Sequence, residues 1–253
     1  MEDGAELADG VTIGPLCHVG PHVRLGEGVE LKAQCSVQGH TTIGPRTRIW
    51  PFASIGSEPQ DLKYAGEQVF LDVGADCVIR EGVTMNPGTG ADRGRTSVGN
   101  RSVFLANAHV AHDCTVGDNV IFSNNVMLAG HCVVGDHVIF GGGSAAHQFT
   151  RIGDNAFIGG LAGVEGDVIP FGMALGNRAY LGGLNLIGMK RSGVARDDIH
   201  ATRGAFRELF AGDEPIATVA ERLKATDTSP LVTKLVDFIL AGKDRALCTP
   251  KAE

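Results

Sequence analysis

The stretch Val98-Gly99-Asn100-Arg101-Ser102-Val103-Phe104-Leu105-Ala106-Asn107-Ala108-His109-Val110 carries an apolar residue at every sixth position: Val98, Phe104 and Val110. The step continues through Val116, Phe122, Leu128, Val134, Phe140, Ala146, Ile152, Ile158 and Val164. Upstream, Leu7, Ile13, Val19, Leu25, Leu31, Val37, Ile43, Ile49 and Ile55 keep the same spacing, and Val73, Ile79 and Met85 resume it. Between them the steps land on Asp61 and Glu67, so a loop leaves the repeat near residues 57–70. A second interruption near 86–97 shifts the phase by one.

Two residues before the aliphatic position sit small or β-branched side chains, among them Thr47, Ala108, Val120, Val126, Ser144 and Ala156. They suit a strand whose inward face has little room. Gly often follows the aliphatic residue, as at Gly44, Gly99, Gly117 and Gly135, and is expected to permit a sharp corner there. Three hexads make one triangular coil of about eighteen residues, each coil bonded to the next as in a parallel sheet. The 36 glycines and 6 % aromatic content agree with many turns around a narrow aliphatic interior.

The chain has 253 residues and a net charge of −7, with no Lys/Arg-rich run, which argues against nucleic-acid binding. No apolar run is long enough to span a bilayer, and the acidic start Met1-Glu2-Asp3-Gly4 is unlike a signal peptide, so a cytoplasmic protein is expected. Five of the six cysteines, Cys17, Cys35, Cys77, Cys114 and Cys132, occupy the small-residue slot, and no CxxC occurs. Core packing is the expected role rather than metal or redox chemistry. Cys248 has no assigned role.

The hexad fades near Pro170, and helical periodicity begins at about Asp197. Asp213 with Pro215, and Ser229 with Pro230, mark two further helix starts, the last helix stopping by Gly242. The expected organisation is a β-helix over 1–190 followed by a helical domain of three helices over 191–253.

The eighteen-residue coil also locates chemistry. Residues eighteen apart stack about 4.8 Å from one another. His112, Gly130 and Gln148 form one column; Asp113, His131 and Phe149 form the next; Ala129 and His147 lie on the other side. All sit at turn offsets, which commonly hold polar residues for solvation alone, and His18, His22, His40, His137 and His200 are read that way. Clustering over three coils instead suggests an exposed edge with chemistry. A neutral imidazole is a general base near pH 7, a carboxylate orients it, and a Gly N–H one coil away stabilises an oxyanion. That set suits acyl transfer to a hydroxyl without a Ser or Cys nucleophile.

The segment from Asn107 to Gly117, with its Ala111-His112-Asp113-Cys114, resembles the active-site stretch of the UDP-N-acetylglucosamine O-acyltransferases, a hexapeptide-repeat family. Gln60-Asp61-Leu62-Lys63-Tyr64-Ala65-Gly66-Glu67, Leu128-Ala129-Gly130-His131 and Ala146-His147-Gln148-Phe149 match as well. The similarity covers nearly the whole chain, which begins later in the repeat than typical members. Parallel crossovers are normally right-handed; the resemblance, not the spacing, implies a left-handed coil.

The resemblance implies a homotrimer that moves a 3-hydroxyacyl group from acyl carrier protein to the sugar 3-hydroxyl of UDP-N-acetylglucosamine, the first step of lipid A synthesis, with no cofactor or metal. It implies His112 as general base, Asp113 as its orienting partner and Gly130 as oxyanion donor. Asp61, Lys63, His109, His131, His147 and Gln148 would position substrates, and Asn185 and Arg191 the nucleotide end. Gly160 would lie at the end of the acyl groove. Two stretches depart from the pattern: Asn86-Pro87-Gly88-Thr89, where many members have His-Arg-Gly-Thr, and Arg191-Ser192, where many have two basic residues.

Alternatives are N-acylation of a 3-amino UDP-sugar, which the same base could serve, and a zinc carbonic anhydrase on the same fold using His109, His131 and His147. Docking an acidic carrier protein onto an acidic enzyme requires a local basic patch, for which Lys63, Arg151, Arg178, Lys190 and Arg191 are candidates.

Overall fold

The computed structural model describes residues 1–227, 229–242 and 245–251. Each hexad becomes a two-residue strand followed by a turn, and the strands stack in three sheets of eight, ten and eight. Strands three apart in sequence are neighbours, so each sheet is one face of a triangular prism, wound as a left-handed parallel β-helix. The eighteen-residue register holds on every face: Val133 lies between Thr115 and Arg151, Ile139 between Ile121 and Phe157, Ala145 between Met127 and Gly163.

Both expected loops interrupt this register. His40–Ile43 pairs with Phe70–Val73, 30 residues on rather than 18, and Phe70–Val73 pairs with Arg95–Val98, 25 residues on. Each excursion ends earlier than expected, because the strand restarts at Phe70 and at Arg95. Glu67 ties the two excursions together, accepting hydrogen bonds from the amides of Gly90 and Ala65. Those N–H groups, Gly90 foremost, hold its carboxyl below the usual range.

The interior is narrow and aliphatic, with a ladder of three fully buried phenylalanines, Phe104, Phe122 and Phe140, at centroid spacings of 5.1 and 4.7 Å. Cys35, Cys77, Cys114 and Cys132 are buried in the small slot; Cys17, on the first coil, is half-buried. Burial pushes the Cys35 thiol up to about 12 and raises that of Cys77, so these two are packing residues rather than nucleophiles.

Apart from Gly56 (φ 81°), the glycines after the aliphatic positions do not make the corner as expected. The left-handed backbone falls two residues later, at Asp76, Arg101, Asn119, His137 and Asn155, with φ between 55° and 59°. Gly117 is required by proximity instead: a Cβ there would lie 2.8 Å from the backbone carbon of Gly135 on the next coil.

The prism closes with an antiparallel hairpin, Gly172–Leu175 against Tyr180–Leu184. Four helices follow rather than three: α1 (Leu186–Arg191), α2 (Arg196–Phe210), α3 (Ile216–Thr226) and α4 (Pro230–Leu240). Helix α1 crosses the expected boundary at 190, and its six residues are too few to show a repeating apolar stripe. Leu209 of α2, Val219 and Leu223 of α3, and Leu235 and Val236 of α4 join one apolar cluster with the prism core. The chain then returns: Asp167 N–H donates to the Ala246 carbonyl, and Cys248 N–H to that of Asp167, both at 2.8 Å. Cys248 is thereby buried, its thiol raised to about 11.

Candidate active site

His112 and Asp113 occupy the turn after strand His109–Val110, and Asp113 takes the left-handed conformation (φ 58°) that Asp tolerates better than most residues. The Asp113 carboxylate lies 3.0 Å from Nδ1 of His112. It also receives the Thr89 amide at 3.0 and 3.1 Å and the Thr89 hydroxyl at 2.7 Å. An ionised carboxylate only accepts, so the proton of the neutral imidazole sits on Nδ1 and Nε2 presents its lone pair. The expected exposed edge is not what forms here. His112 is 5 % exposed and Asp113 1 %, because the second excursion folds over the turn. Arg93 of that excursion fastens it, donating to the Asp113 carbonyl at 2.5 Å and to the Thr115 hydroxyl at 2.6 Å.

Gly130 lies one coil beyond His112. A methyl group on it would come 2.6 Å from Cε1 and 2.7 Å from Nε2 of His112, so the ring lies directly over its bare Cα. Among the described residues no oxygen accepts from the Gly130 N–H. At the equivalent corner turn, by contrast, the Asp118 N–H is taken up by Asp136 Oδ1. A base and a free donor are thus adjacent.

His131 stacks flat on Phe149 (centroids 4.4 Å apart, interplanar angle 5°) and meets His112 edge-on at 4.9 Å. Its Nδ1 is 2.7 Å from the Asp92 carboxylate. Asp61, Lys63, Asp92, Arg93, Asp113, His131, Val133 and Phe149 line a common cavity of about 620 Å³. The first excursion therefore reaches the His131 column. His109 Nδ1 bonds the Thr84 hydroxyl at 2.7 Å. Burial, and then the nearby His112, pulls its imidazole below the ordinary value. His147 and Gln148 are exposed; the His147 ring meets the Arg245 guanidinium, which also bonds the Gln148 carbonyl.

Asn185 and Arg191 lie elsewhere, in a cleft of about 490 Å³ walled by Ile121, Ile139, Phe157, Met173 and Ile187. Asn185 caps α1, accepting from Gly188 N–H, and donates to the Asn155 carbonyl. Gly160 is exposed, with an ordinary backbone, and a Cβ there would meet nothing closer than the Gly142 carbonyl at 3.5 Å. Thr89, Asp92, Arg93 and Arg245 are parts of the site that the repeat does not point to. The hexad places only residues on the coil, whereas these four lie on excursions and the returning tail.

The three-histidine zinc arrangement does not form. Among the described residues, the one group of three metal-capable atoms within 4.8 Å of one another is His112, Asp113 and His131. His109 and His147 are engaged with Thr84 and Arg245.

Comparison with known proteins agrees with the geometry. Residues 167–248 match the family model described as "Udp N-acetylglucosamine O-acyltransferase; Domain 2", and residues 95–130 match "Bacterial transferase hexapeptide (six repeats)". The acyl-[acyl-carrier-protein]--UDP-N-acetylglucosamine O-acyltransferase of Azorhizobium caulinodans is 59 % identical over 99 % of this chain and 93 % of its own length. The protein of that name from Rhizobium johnstonii is 54 % identical over 99 % and 92 %. Among solved structures, the UDP-N-acetylglucosamine O-acyltransferase of Moraxella catarrhalis superposes with a TM-score of 0.94 at 41 % identity, covering 98 % of this chain and 96 % of that one. With relatives of this identity matched over nearly its whole length and the same fold, the chain belongs to the UDP-N-acetylglucosamine O-acyltransferase family.

Proposed function

We propose that this enzyme transfers a 3-hydroxyacyl group from acyl carrier protein to the 3-hydroxyl of UDP-N-acetylglucosamine, the first step of lipid A synthesis. The observation that carries the reading is the His112–Asp113 pair lying across the free amide of Gly130. His112 Nε2 takes the sugar hydroxyl proton as that oxygen attacks the thioester carbonyl carbon. The Gly130 N–H receives the oxyanion, the C–S bond breaks, and the imidazolium passes its proton to the leaving thiolate, which departs as the thiol. Asp113 holds the base in the correct tautomer and stabilises the imidazolium. General-base action contributes about 10²–10⁴-fold, and one oxyanion donor about 3–4 kcal/mol. No metal or cofactor takes part, since the thioester is already activated.

Asp61, Lys63, His109, His131, His147 and Gln148 position the sugar and the acyl-phosphopantetheine, with Asn185 and Arg191 at the nucleotide end. In one chain Asp61, Lys63 and His131 line one cleft and Asn185 and Arg191 another, so two copies side by side would let one site draw on both. Ile121, Met127 and Val133, on the three faces of one coil, are 37, 53 and 43 % exposed, apolar surface that a homotrimer would cover.

Of the basic candidates for carrier-protein docking, Arg151 is committed to Asp167 and to the Phe238 carbonyl and drops out. Lys63, Arg178, Lys190 and Arg191 form no ion pair among the described residues. Lys190 also joins Arg196 and Arg203 around a cleft floored by Leu186, Val194 and Ile199. No helix among the described residues is long and apolar enough to cross a membrane, in keeping with a cytoplasmic carrier-protein substrate.

The test is incubation with UDP-N-acetylglucosamine and 3-hydroxyacyl carrier proteins of graded chain length, with mass analysis of the sugar nucleotide. A singly O-acylated product is expected. Absence of product with every donor would overturn the reading.

A further inference from the structure

We infer that Arg245 is a positioning residue that fixes His147 as an obligate hydrogen-bond donor, in the opposite tautomer to His112 and His131. Arg245 Nη2 lies 2.6 Å from His147 Nδ1, and its Nε lies 3.0 Å from the Gln148 carbonyl. A guanidinium carries only donors. Nδ1 of His147 must therefore supply its lone pair, which leaves the ring proton on Nε2. The Gln148 carbonyl, 3.4 Å from the same Nδ1, is too distant to compete for a proton there and already accepts from Arg245.

At His112 and His131 the partner of Nδ1 is a carboxylate, Asp113 or Asp92, which can only accept. Those rings keep the proton on Nδ1 and offer Nε2 as a lone pair. One site thus contains imidazoles of both polarities, set by the charge of the group behind each. Acyl transfer needs both: a lone pair to take the hydroxyl proton, and an N–H to hold a substrate oxygen. With Arg245 in place, Nε2 of His147 already bears its proton and cannot act as the base.

The mount for Arg245 is built into the fold. It stands 98 residues from His147, immediately before the returning segment that Asp167 and Leu181 clamp through three backbone hydrogen bonds of 2.8 to 2.9 Å. The buried Cys248 anchors the same segment. The end of the chain therefore reaches the third coil of the histidine cluster at a fixed height.

The inference rests on the acyl-transfer reading only for its kinetic arm; the tautomer is measurable whatever reaction the site runs. In the full-length protein labelled with ¹⁵N-histidine, two-bond ¹H–¹⁵N correlations at about pH 8, where free imidazole is neutral, are expected to show Nε2–H at His147 and Nδ1–H at His131. Nδ1–H at His147 would overturn the inference. Arg245→Met is expected to give mixed tautomers at His147 and to lower kcat/KM about tenfold, the equivalent of one modest hydrogen bond, whereas Arg245→Lys, which keeps a cationic donor, retains the tautomer.

A Gln amide can donate from the place of Nε2, while an Asn amide reaches only that of Nδ1. His147→Gln is therefore expected to lose less activity than His147→Asn, which should fall as far as His147→Ala. Adding Arg245→Met to His147→Gln should cost nothing more; multiplicative losses would show a purely structural Arg245 and overturn the inference. Should Arg245→Met not fold, the wild-type tautomer and the Gln/Asn contrast decide the matter.

Discussion

The imidazole of His112 covers the bare Cα of Gly130 so closely that a methyl group there would sit 2.6 Å from Cε1. Gly130 has no left-handed backbone to protect, so Gly130→Ala tests this contact alone. The ring must swing away from the oxyanion donor, and kcat is expected to fall at least about tenfold, 1.4 kcal/mol of barrier, with the circular-dichroism spectrum unchanged. Unaltered kcat would show that the ring and the amide do not act together.

Thr89 closes the Asp113 carboxylate from the second excursion, through both amide and hydroxyl. Thr89→Val keeps shape and amide but removes the hydroxyl bond to a buried charge. A loss of about 1–3 kcal/mol in urea denaturation is expected, together with reduced kcat as Asp113 loosens its hold on His112. A stability change within error would mean that water replaces the hydroxyl.

Much of this is legible in the sequence itself. The hexad dictates the prism because an apolar residue every sixth position can be buried only by turning the chain at each repeat, and the coil length then stacks His112 on Gly130. The role of the glycines is not legible there, since spacing does not distinguish a glycine needed for its φ from one needed to let Gly117 approach Gly135. The burial of His112 is hidden for another reason: the lattice says where an excursion leaves and rejoins, not what it folds over. Thr89 and Asp92 lie on such a segment, and Arg245 on the returning tail. Helix α1 and the strand-like return at Cys248 are too short to carry a period of their own.

Gly160 is exposed, with room for a side chain and no backbone strain to confound the substitution. If it lies at the closed end of the acyl groove, Gly160→Met shortens that groove by several methylenes. The variant is expected to prefer donors a few carbons shorter than wild type in competition assays, while keeping its KM for the sugar nucleotide. An unchanged length preference would place the end of the groove elsewhere.

His40 and His109 both have pKa values below the ordinary imidazole value, chiefly through burial, with the neighbouring His22 and His112 respectively adding to it. Below about pH 6.5, the unfolded-chain value, the unfolded state takes up protons first, so stability falls with decreasing pH until the folded pKa values are reached. Above that window neither residue contributes. The Tm is expected to decline as the pH falls below about 6.5, and the double variant His40→Gln/His109→Gln to flatten the decline. An equal slope in the double variant would assign the acid sensitivity to other groups.

If His112 removes the proton from the sugar hydroxyl, its loss must slow the chemical step itself. The measurement is kcat of His112→Ala against wild type, with saturating UDP-N-acetylglucosamine and a 3-hydroxyacyl carrier protein. A loss of at least about a hundredfold, the low end for removing a general base, is expected, with the nucleotide still bound. Activity within a few-fold of wild type would contradict the role of His112 as the base.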